Sequence, residues 1–284
     1  MHTLTQDSAH FPPSLKEARP IPESLYYNGS LDALSRPLIS IVGSRKMSTY
    51  GSAVLQALVP PLVQAGLVVV SGLAYGVDAA AHRCALDHGG TGIAVIGSSL
   101  DQLYPASHTS LADKLVRSGG IVLSEYPPGT PGFKFHFPRR NRIIAALSPV
   151  LLIIEAADPS GTFSTARAAL EMGKEVCVVP ADITRGQSNG TLRLLKDGAR
   201  PVSCPEDILS LYQMQLPLLA KEPLQPALTG SPATLYASIS HGLTSVDALA
   251  QDTGFNIATV QALLSVLELD GYITYRQSQW QTTL

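Results

Sequence analysis

The sequence has few charged residues and little net charge. Only 15% of its 284 residues are charged, against about 25% in an average domain, while 45% are hydrophobic. A disordered chain has the opposite balance, so this composition excludes extensive disorder. The formal net charge of −2 excludes a protein that coats nucleic acid through overall positive charge. Any binding to nucleic acid must therefore use a local cluster of cations.

Cysteines and long apolar runs are also scarce. Cys84, Cys177 and Cys204 are far apart and form no Cys-x-x-Cys pair, which argues against a disulfide framework or a structural zinc site. His82 and His88 flank Cys84 at a spacing that does not suit metal binding. No apolar run approaches the ~18 residues of a membrane span, and the N-terminus lacks a signal-peptide pattern. We expect a cytoplasmic protein with no metal and no membrane contact.

What the chain does contain is a regular alternation of apolar and helix-like segments. Continuously apolar strands are typical of parallel sheets covered by helices on both faces, and the alternation predicts a doubly wound α/β domain. The predicted strands are Ile39–Val42, Leu67–Val70, Gly92–Ile96, Ile121–Leu123, Val150–Ile154 and Glu175–Val179. The predicted helices are Gly51–Ala65, Asp78–His88, Ser107–Ser118, Phe137–Leu147 and Phe163–Met172.

Composition divides the chain into four segments. Residues 1–35 are rich in Pro and Ser and form an N-terminal segment, and residues 36–215 form the α/β domain. Residues 216–231 are a Pro-rich linker. In residues 232–284, three short helices precede a hairpin, which predicts a small winged-helix domain. These elements are Pro232–Ser240, Ser245–Thr253, a helix capped by Asn256 and ending near Leu269, Tyr272–Tyr275 and Gln279–Thr283.

The turns after the predicted strands are rich in Gly, Ser and Thr. Ligands of open parallel sheets bind at the carboxyl ends of the strands, where Gly admits an anion closely and helix N-termini attract phosphate. Ordinary turn chemistry is the alternative. Neither a dinucleotide fingerprint nor a P-loop occurs, so no cofactor is expected. The principal turns are Gly43-Ser44-Arg45-Lys46, Ser71-Gly72 and Ser160-Gly161-Thr162-Phe163-Ser164-Thr165.

A second feature is the basic and aromatic segment Lys134–Arg142. Cations interleaved with aromatic rings suit single-stranded nucleic acid, because cations follow the phosphates and rings stack on bases. The alternative is a solvated basic helix start with its rings in the core, although basic residues there oppose the helix dipole. The segment reads Lys134-Phe135-His136-Phe137-Pro138-Arg139-Arg140-Asn141-Arg142.

Charge differs between the two predicted domains. From Arg36 to Leu209 there are sixteen Lys/Arg and thirteen Asp/Glu, which gives +3. From Ala227 to Leu284 there is one basic residue, Arg276, against four acidic ones, which gives −3. A winged helix that reads DNA normally carries cations, so protein binding or regulation is favoured over direct DNA binding for this tail, with both left open.

Several motifs together resemble the DNA-processing protein A (DprA/Smf) family of bacterial competence and recombination factors. They extend over about residues 25–209. They include Ile41-Val42-Gly43-Ser44-Arg45, Ser71-Gly72-Leu73-Ala74-Tyr75-Gly76-Val77-Asp78, Ser124-Glu125-Tyr126-Pro127, Phe137-Pro138-Arg139-Arg140-Asn141-Arg142 and Ser160-Gly161-Thr162.

The resemblance implies an extended Rossmann-like, mostly parallel sheet that binds single-stranded DNA without catalysis. It also implies a homodimer that protects incoming DNA during natural transformation and loads the RecA recombinase onto it. Residues 1–35 would then be a truncated or vestigial helical region. The implied DNA-binding residues are Gly43, Ser44, Arg45, Lys46, Ser71, Gly72, Lys134, Phe135, Phe137, Arg139, Arg140, Asn141, Arg142, Ser160, Gly161, Thr162, Ser164 and Thr165, with Arg45 as a phosphate clamp.

The main alternative is a nucleotide-processing Rossmann enzyme of the phosphoribohydrolase type. Those enzymes carry P-G-G-x-G-T-x-x-E with a catalytic Glu. Here Ser160-Gly161-Thr162 resembles the first part, but Thr165 stands at the position of the Glu. Hydrolysis of a glycosidic bond would therefore lack its key carboxylate. A transcription regulator acting through the tail is disfavoured by the −3 charge.

Overall fold

A computed structural model describes residues 1–184, 186–213, 228, 230–240, 242–270, 272–276 and 279–282. The chain divides into two compact units, Met1–Pro217 and Leu218–Leu284. Most of the predicted linker, residues 216–231, lies outside the described residues.

The first unit is built on a nine-stranded sheet with the order β1-β2-β6-β5-β4-β3-β7-β8-β9. Strands β3 to β9 are parallel, and β2 pairs antiparallel with both β1 and β6. The mostly parallel α/β prediction is thus confirmed. The strands are β1 (His2–Thr5), β2 (Ser24–Gly29), β3 (Leu38–Val42), β4 (Val68–Ser71), β5 (Gly92–Ile96), β6 (Ile121–Ser124), β7 (Val150–Ile153), β8 (Glu175–Val178) and β9 (Arg200–Pro201).

Helices cover both faces of this sheet. Alternate residues of β3 enter different cores: Leu38 and Val42 pack with α4, α5 and α6, whereas Ile39 and Ile41 pack with α1, α2 and α7. This double burial explains why the strands are continuously apolar. The helices are α1 (Thr49–Gln64), α2 (Val77–Asp87), α3 (Thr109–Arg117), α4 (His136–Leu147), α5 (Thr162–Glu171), α6 (Asn189–Lys196) and α7 (Pro205–Leu209).

The strand order creates a switch point between β3 and β7. The chain runs outward from β3 through β4, β5 and β6, and then crosses back to place β7 on the other side of β3. Connections leave β3 and β7 in opposite directions, which opens a crevice at their carboxyl ends. The ligand site of such a fold is expected there.

Residues 1–35 differ from the sequence interpretation. They contribute the two antiparallel strands β1 and β2 to the sheet, where the sequence predicted a truncated or vestigial helical region. Phe11, Leu15 and Leu25 are buried in the same core as α4. Both antiparallel strands lack the continuous apolar pattern of the central strands, which is why the sequence did not reveal them.

The second unit has the predicted winged-helix elements. Three helices, α8 (Ser231–Ser240), α9 (Val246–Thr253) and α10 (Ile257–Leu269), precede the hairpin of β10 (Ile273–Arg276) and β11 (Gln279–Thr282). Ser245 and Asn256 cap α9 and α10 by accepting backbone N–H bonds, as predicted, and Gly254 ends α9 with φ of 71°. Leu235, Leu249 and Leu264 are in its core.

Candidate functional site

A pocket of about 770 Å³ lies at the switch point, between the segments that follow β3 and β7 and the start of α4. It brings together twelve of the predicted residues: Gly43, Ser44, Arg45, Lys46, Lys134, Phe137, Arg140, Asn141, Ser160, Gly161, Thr162 and Thr165. Outside its lining lie six others: Ser71, Gly72, Phe135, Arg139, Arg142 and Ser164. Distant turns therefore form one site, although the members differ in role.

The loop after β3 is held tightly against its neighbours. The Ser44 N–H donates to Glu155 O at 2.8 Å, and the Val77 N–H donates to Ser44 O at 3.1 Å. A Cβ on Gly43 would lie 2.8 Å from the Val77 side chain and 2.9 Å from Glu155 O, so glycine is needed for this close packing. The fixed backbone projects the exposed side chains of Arg45 and Lys46 at the pocket.

Glu155 anchors this loop to α1. Its buried carboxylate accepts hydrogen bonds from Ser48 N at 2.9 Å and from Ser48 Oγ, while Ser48 Oγ accepts from Gly51 N at 3.2 Å. A carboxylate at a helix N-terminus is stabilised by the exposed N–H groups and the helix dipole. Glu155 therefore joins β7 to the start of α1.

Arg45 and two aromatic rings form one wall of the pocket. The Arg45 guanidinium lies 5.2 Å from the centroid of the Phe137 ring, a cation–π distance. Tyr104 also packs against Phe137, with ring centroids 5.6 Å apart. Tyr104 is 48% exposed, and both rings line the pocket. A cation, a half-buried ring and an exposed ring thus lie side by side.

Arg140 lies inside the protein, although it borders the pocket. Its Nη1 donates to Gly72 O at 2.7 Å and to Val95 O, at the carboxyl ends of β4 and β5. Burial lowers the pKa of Arg140 to about 10. Burial also raises the pKa of Asp78, opposed by the positive charge of Arg140, and Asp78 accepts from Gly72 N at 3.2 Å. Asp78 and Arg140 thus hold the Gly72 backbone in place beside the pocket.

Arg142 belongs to a different internal network. It donates to Glu125 through Nη1 at 3.0 Å and Nη2 at 2.5 Å, and through Nε to Pro20 O at 2.7 Å. Its side chain is only 6% exposed. The cation of Arg142 therefore points inward and ties α4 to the end of β6 and to the N-terminal segment, and its predicted contact with DNA stays a prediction. Arg139 remains 55% exposed and lies 3.5 Å from Glu125.

Ser71, Gly72 and Ser164 also support the site from within. Ser71 is buried and its Oγ donates to Ile41 O at 2.6 Å. A Cβ on Gly72 would meet the Arg140 guanidinium at 2.5 Å. Ser164 Oγ accepts from Asn141 Nδ2 at 2.9 Å and donates to Gly161 O at 2.7 Å, which links α4 to the start of α5. These contacts give all three a positioning role.

Sequence reasoning missed three exposed aromatic residues near the pocket. Tyr75, Tyr104 and Phe133 are each 48% exposed. Tyr75 packs edge-on against His108 at 5.1 Å and accepts a hydrogen bond from Ser107 Oγ at 3.3 Å. The sequence could have indicated them, because each of the three lies in a loop that contains Gly or Pro, where an aromatic side chain is not part of a periodic apolar segment.

Within the described residues, no group of three or more His, Cys, Asp or Glu is placed to hold a metal ion.

The fold and the site define a class: a doubly wound α/β protein with a basic, aromatic-lined pocket at its switch point and a separate winged-helix unit. The chain belongs to the DNA recombination-mediator protein A family. That family's model matches residues 2–213, and a model of the DprA winged-helix domain matches residues 220–276.

Individual relatives agree with this assignment. The chain is 38% identical to the Escherichia coli protein Smf over 96% of its own length and 75% of the relative's. It resembles the solved structure of DNA processing protein A from Streptococcus pneumoniae with TM-score 0.70 and 40% identity, covering 74% and 73% of the two chains. The Helicobacter pylori structure, described for its single-stranded DNA binding mode, matches with TM-score 0.67 and 30% identity, covering 76% and 98%.

Proposed function

We propose that the pocket binds single-stranded DNA, with Arg45, Lys46 and Lys134 contacting phosphates and with Phe137 and Tyr104 contacting bases. The observation that carries this proposal is the placement of exposed cations, the exposed Tyr104 ring and the half-buried Phe137 ring around one crevice. Phosphates attract the cations, and aromatic rings stack on any base without sequence preference. The Helicobacter pylori relative, whose structure concerns binding of single-stranded DNA, supports the same function here.

A single strand suits the site better than a duplex. In a duplex the base faces are stacked on one another and cannot reach Phe137 or Tyr104, so only the phosphate contacts would remain. In a single strand both kinds of contact form together. We therefore propose weaker binding to duplex DNA.

Binding rather than catalysis is the role we propose. Thr165 is buried at the position where a phosphoribohydrolase has its catalytic Glu, and it lines the pocket. Asp78, a carboxylate that also lines it, accepts from Gly72 N and faces the Arg140 cation. The local chemistry therefore favours holding a ligand.

Membership in a recombination-mediator family supports a further part of the proposal. We propose that the chain acts in the cytoplasm as a homodimer, protects incoming single strands during natural transformation and loads the RecA recombinase onto them. In this arrangement the α/β unit holds the strand while another surface meets the recombinase.

The decisive experiment is a titration of the full chain with one sequence as single strand and as duplex, at two salt concentrations. We expect tighter binding to the single strand, with affinity falling steeply as salt rises, because phosphate contacts release counterions. Equal affinity for both forms, or an affinity independent of salt, would contradict the proposal.

Addition of the recombinase tests the loading step. Faster assembly of the recombinase on strands already held by this protein would support that step. Light scattering over a range of concentrations tests the dimer, which a concentration-independent monomer would contradict.

A further inference from the structure

Two phenylalanines beside the pocket remain largely in solvent. Phe133 is 48% exposed and Phe135 is 68% exposed. Their rings are stacked, with centroids 5.6 Å apart and planes 3° from parallel. Exposed apolar surface of this kind marks interaction sites. The pair presents parallel flat rings, a shape that suits another planar ring.

The pair is held in place by His136, the first residue of α4. Phe133 and Phe135 meet the His136 ring edge-on, at 5.2 Å and 4.6 Å. His136 is itself fixed, because it stacks on Tyr126 at 3.7 Å and its Nδ1 lies 3.2 Å from Gly97 O. The backbone N–H of His136 also donates to Phe133 O at 3.0 Å, which closes the turn between these residues. Such preorganisation lowers the entropy lost when a ligand binds.

The position of the pair points to a polyanion with planar groups. Gly132 and Lys134 line the pocket, so the two rings alternate along the chain with residues of the DNA site. Lys134 lies between them in sequence and is exposed. A protein partner would be served by apolar area alone, whereas phosphates and bases use both the cation and the rings.

We propose that Phe133 and Phe135 form a stacking platform, outside the pocket, for the bases of a single strand that leaves it past Lys134. This proposal rests on the proposed function of the pocket. The pocket has the volume of a site for a drug-sized ligand, so a longer strand must continue over the surface. Part of the affinity for long strands would then come from the platform.

The test compares oligo(dT) of about 4 and about 16 nucleotides, a range that spans the site sizes of single-strand binding folds. For the full chain we expect tighter binding to the longer strand. The double variant Phe133→Ala, Phe135→Ala should lose about tenfold in affinity for the longer strand, since each stacked base contributes about that factor. Its affinity for the shorter strand should stay unchanged.

A strand that lacks most of its bases gives a test that needs no protein variant. A 16-mer with about four bases at one end and abasic sugars elsewhere keeps every phosphate but offers the platform nothing to stack. The intact chain should bind this strand about tenfold more weakly than the complete one. Equal binding of the two strands would overturn the platform, and this result does not depend on the folding of any variant.

Substitution of Phe135 alone separates stacking from plain hydrophobic contact. Phe135→Trp should keep the affinity for the longer strand, whereas Phe135→Leu, which keeps apolar volume without a ring, should lose it. Leu170→Ala removes another exposed apolar side chain, 60% exposed near the end of α5, and serves as the matched control. Equal behaviour of the Trp and Leu variants would overturn base stacking.

Failure of the platform and failure of the pocket give different results. If the pocket does not bind DNA, the intact chain will not bind even the short strand. If only the platform is wrong, the double variant will bind both strands like the intact chain, or will weaken both equally. A change in oligomeric state with unchanged DNA affinity would identify the rings as a protein contact and also overturn the proposal.

Discussion

Arg45 is the residue whose loss should report most directly on the pocket. Its side chain is exposed and its guanidinium contacts the Phe137 ring, so Arg45→Ala removes a cation without opening the core. We expect an affinity for single strands lower by about tenfold and a salt slope reduced by about one phosphate contact, measured by fluorescence titration at several salt concentrations. Arg167→Ala, at a side chain 82% exposed on α5, is the control and should change neither value.

Arg140 should behave differently, because its cation is internal. Arg140→Ala would remove hydrogen bonds to Gly72 O and Val95 O and leave the buried Asp78 without its positive neighbour. We expect the free energy of unfolding to fall by about 3–5 kcal/mol, measured by urea denaturation. Arg140→Ala combined with Asp78→Asn should recover part of that loss. Unchanged stability with lost DNA binding would instead make Arg140 a direct DNA contact.

His82 should make the stability depend on pH. His82 is a buried residue of α2, and burial lowers the pKa of its imidazole from 6.5 to about 3. The unfolded chain therefore binds a proton more readily, so stability is lost as pH falls below about 6.5, by roughly 2 kcal/mol at pH 5 from this group. The charges of His108, Arg140 and Arg83 act in the same direction. Urea denaturation at pH 7 and pH 5 should show a smaller difference for His82→Leu than for the intact chain.

At the scale of elements, the central strands were predictable because burial on both faces leaves an unbroken apolar signal. The six predicted strands match β3 to β8, and the five predicted helices match α1 to α5, with ends shifted by a residue or two. Strands β1 and β2 were missed because they are antiparallel strands at one side of the sheet and lack the continuous apolar pattern of the central strands. Leu25–Gly29 carries too little apolar periodicity to show that it pairs with β6.

The site was predictable in location but not in the roles of its residues. Gly- and Ser-rich turns identify the sheet edge, because parallel strands end there together. Sequence cannot show which cation of Arg139-Arg140-Asn141-Arg142 turns inward, since that depends on carbonyl groups brought in by β4, β5 and the N-terminal segment. The same tertiary contacts explain why a basic helix start is tolerated: its inward cations are satisfied by carbonyl and carboxylate oxygens.

The N-terminal segment yields a prediction at this scale. Leu15 is fully buried in the core that also contains Ile143 of α4. Leu15→Ala should therefore lower the free energy of unfolding of the whole α/β unit by about 2–5 kcal/mol, in a single transition followed by circular dichroism. Ile183→Ala, at a side chain 80% exposed, should have no such effect. An unchanged main transition for Leu15→Ala would mean that the segment folds apart from the sheet.

For the whole molecule, the near-zero net charge is the sum of a positively charged α/β unit and a negatively charged winged-helix unit. The charge of +3 over residues 36–209 includes the cations around the pocket, whereas residues 227–284 carry −3. In the part of the chain that the structure describes, no helix is long and apolar enough to cross a membrane. The distribution fits a local groove for one strand better than a surface that covers DNA broadly.

This division predicts that the winged-helix unit contributes little to holding the single strand. Helix α10, the last of its three helices, contains no Lys or Arg, and the acidic residues between 227 and 284 are Asp247, Asp252, Glu268 and Asp270. A chain that ends at residue 213 keeps the sheet, the helices of both faces and the pocket, so it should fold. We expect its affinity for single strands to lie within about twofold of the full chain's, because the phosphate-binding cations remain. Arg45→Ala in the shortened chain should weaken binding as in the full one. A tenfold loss on truncation alone would show that the acidic unit takes part in binding the strand despite its charge.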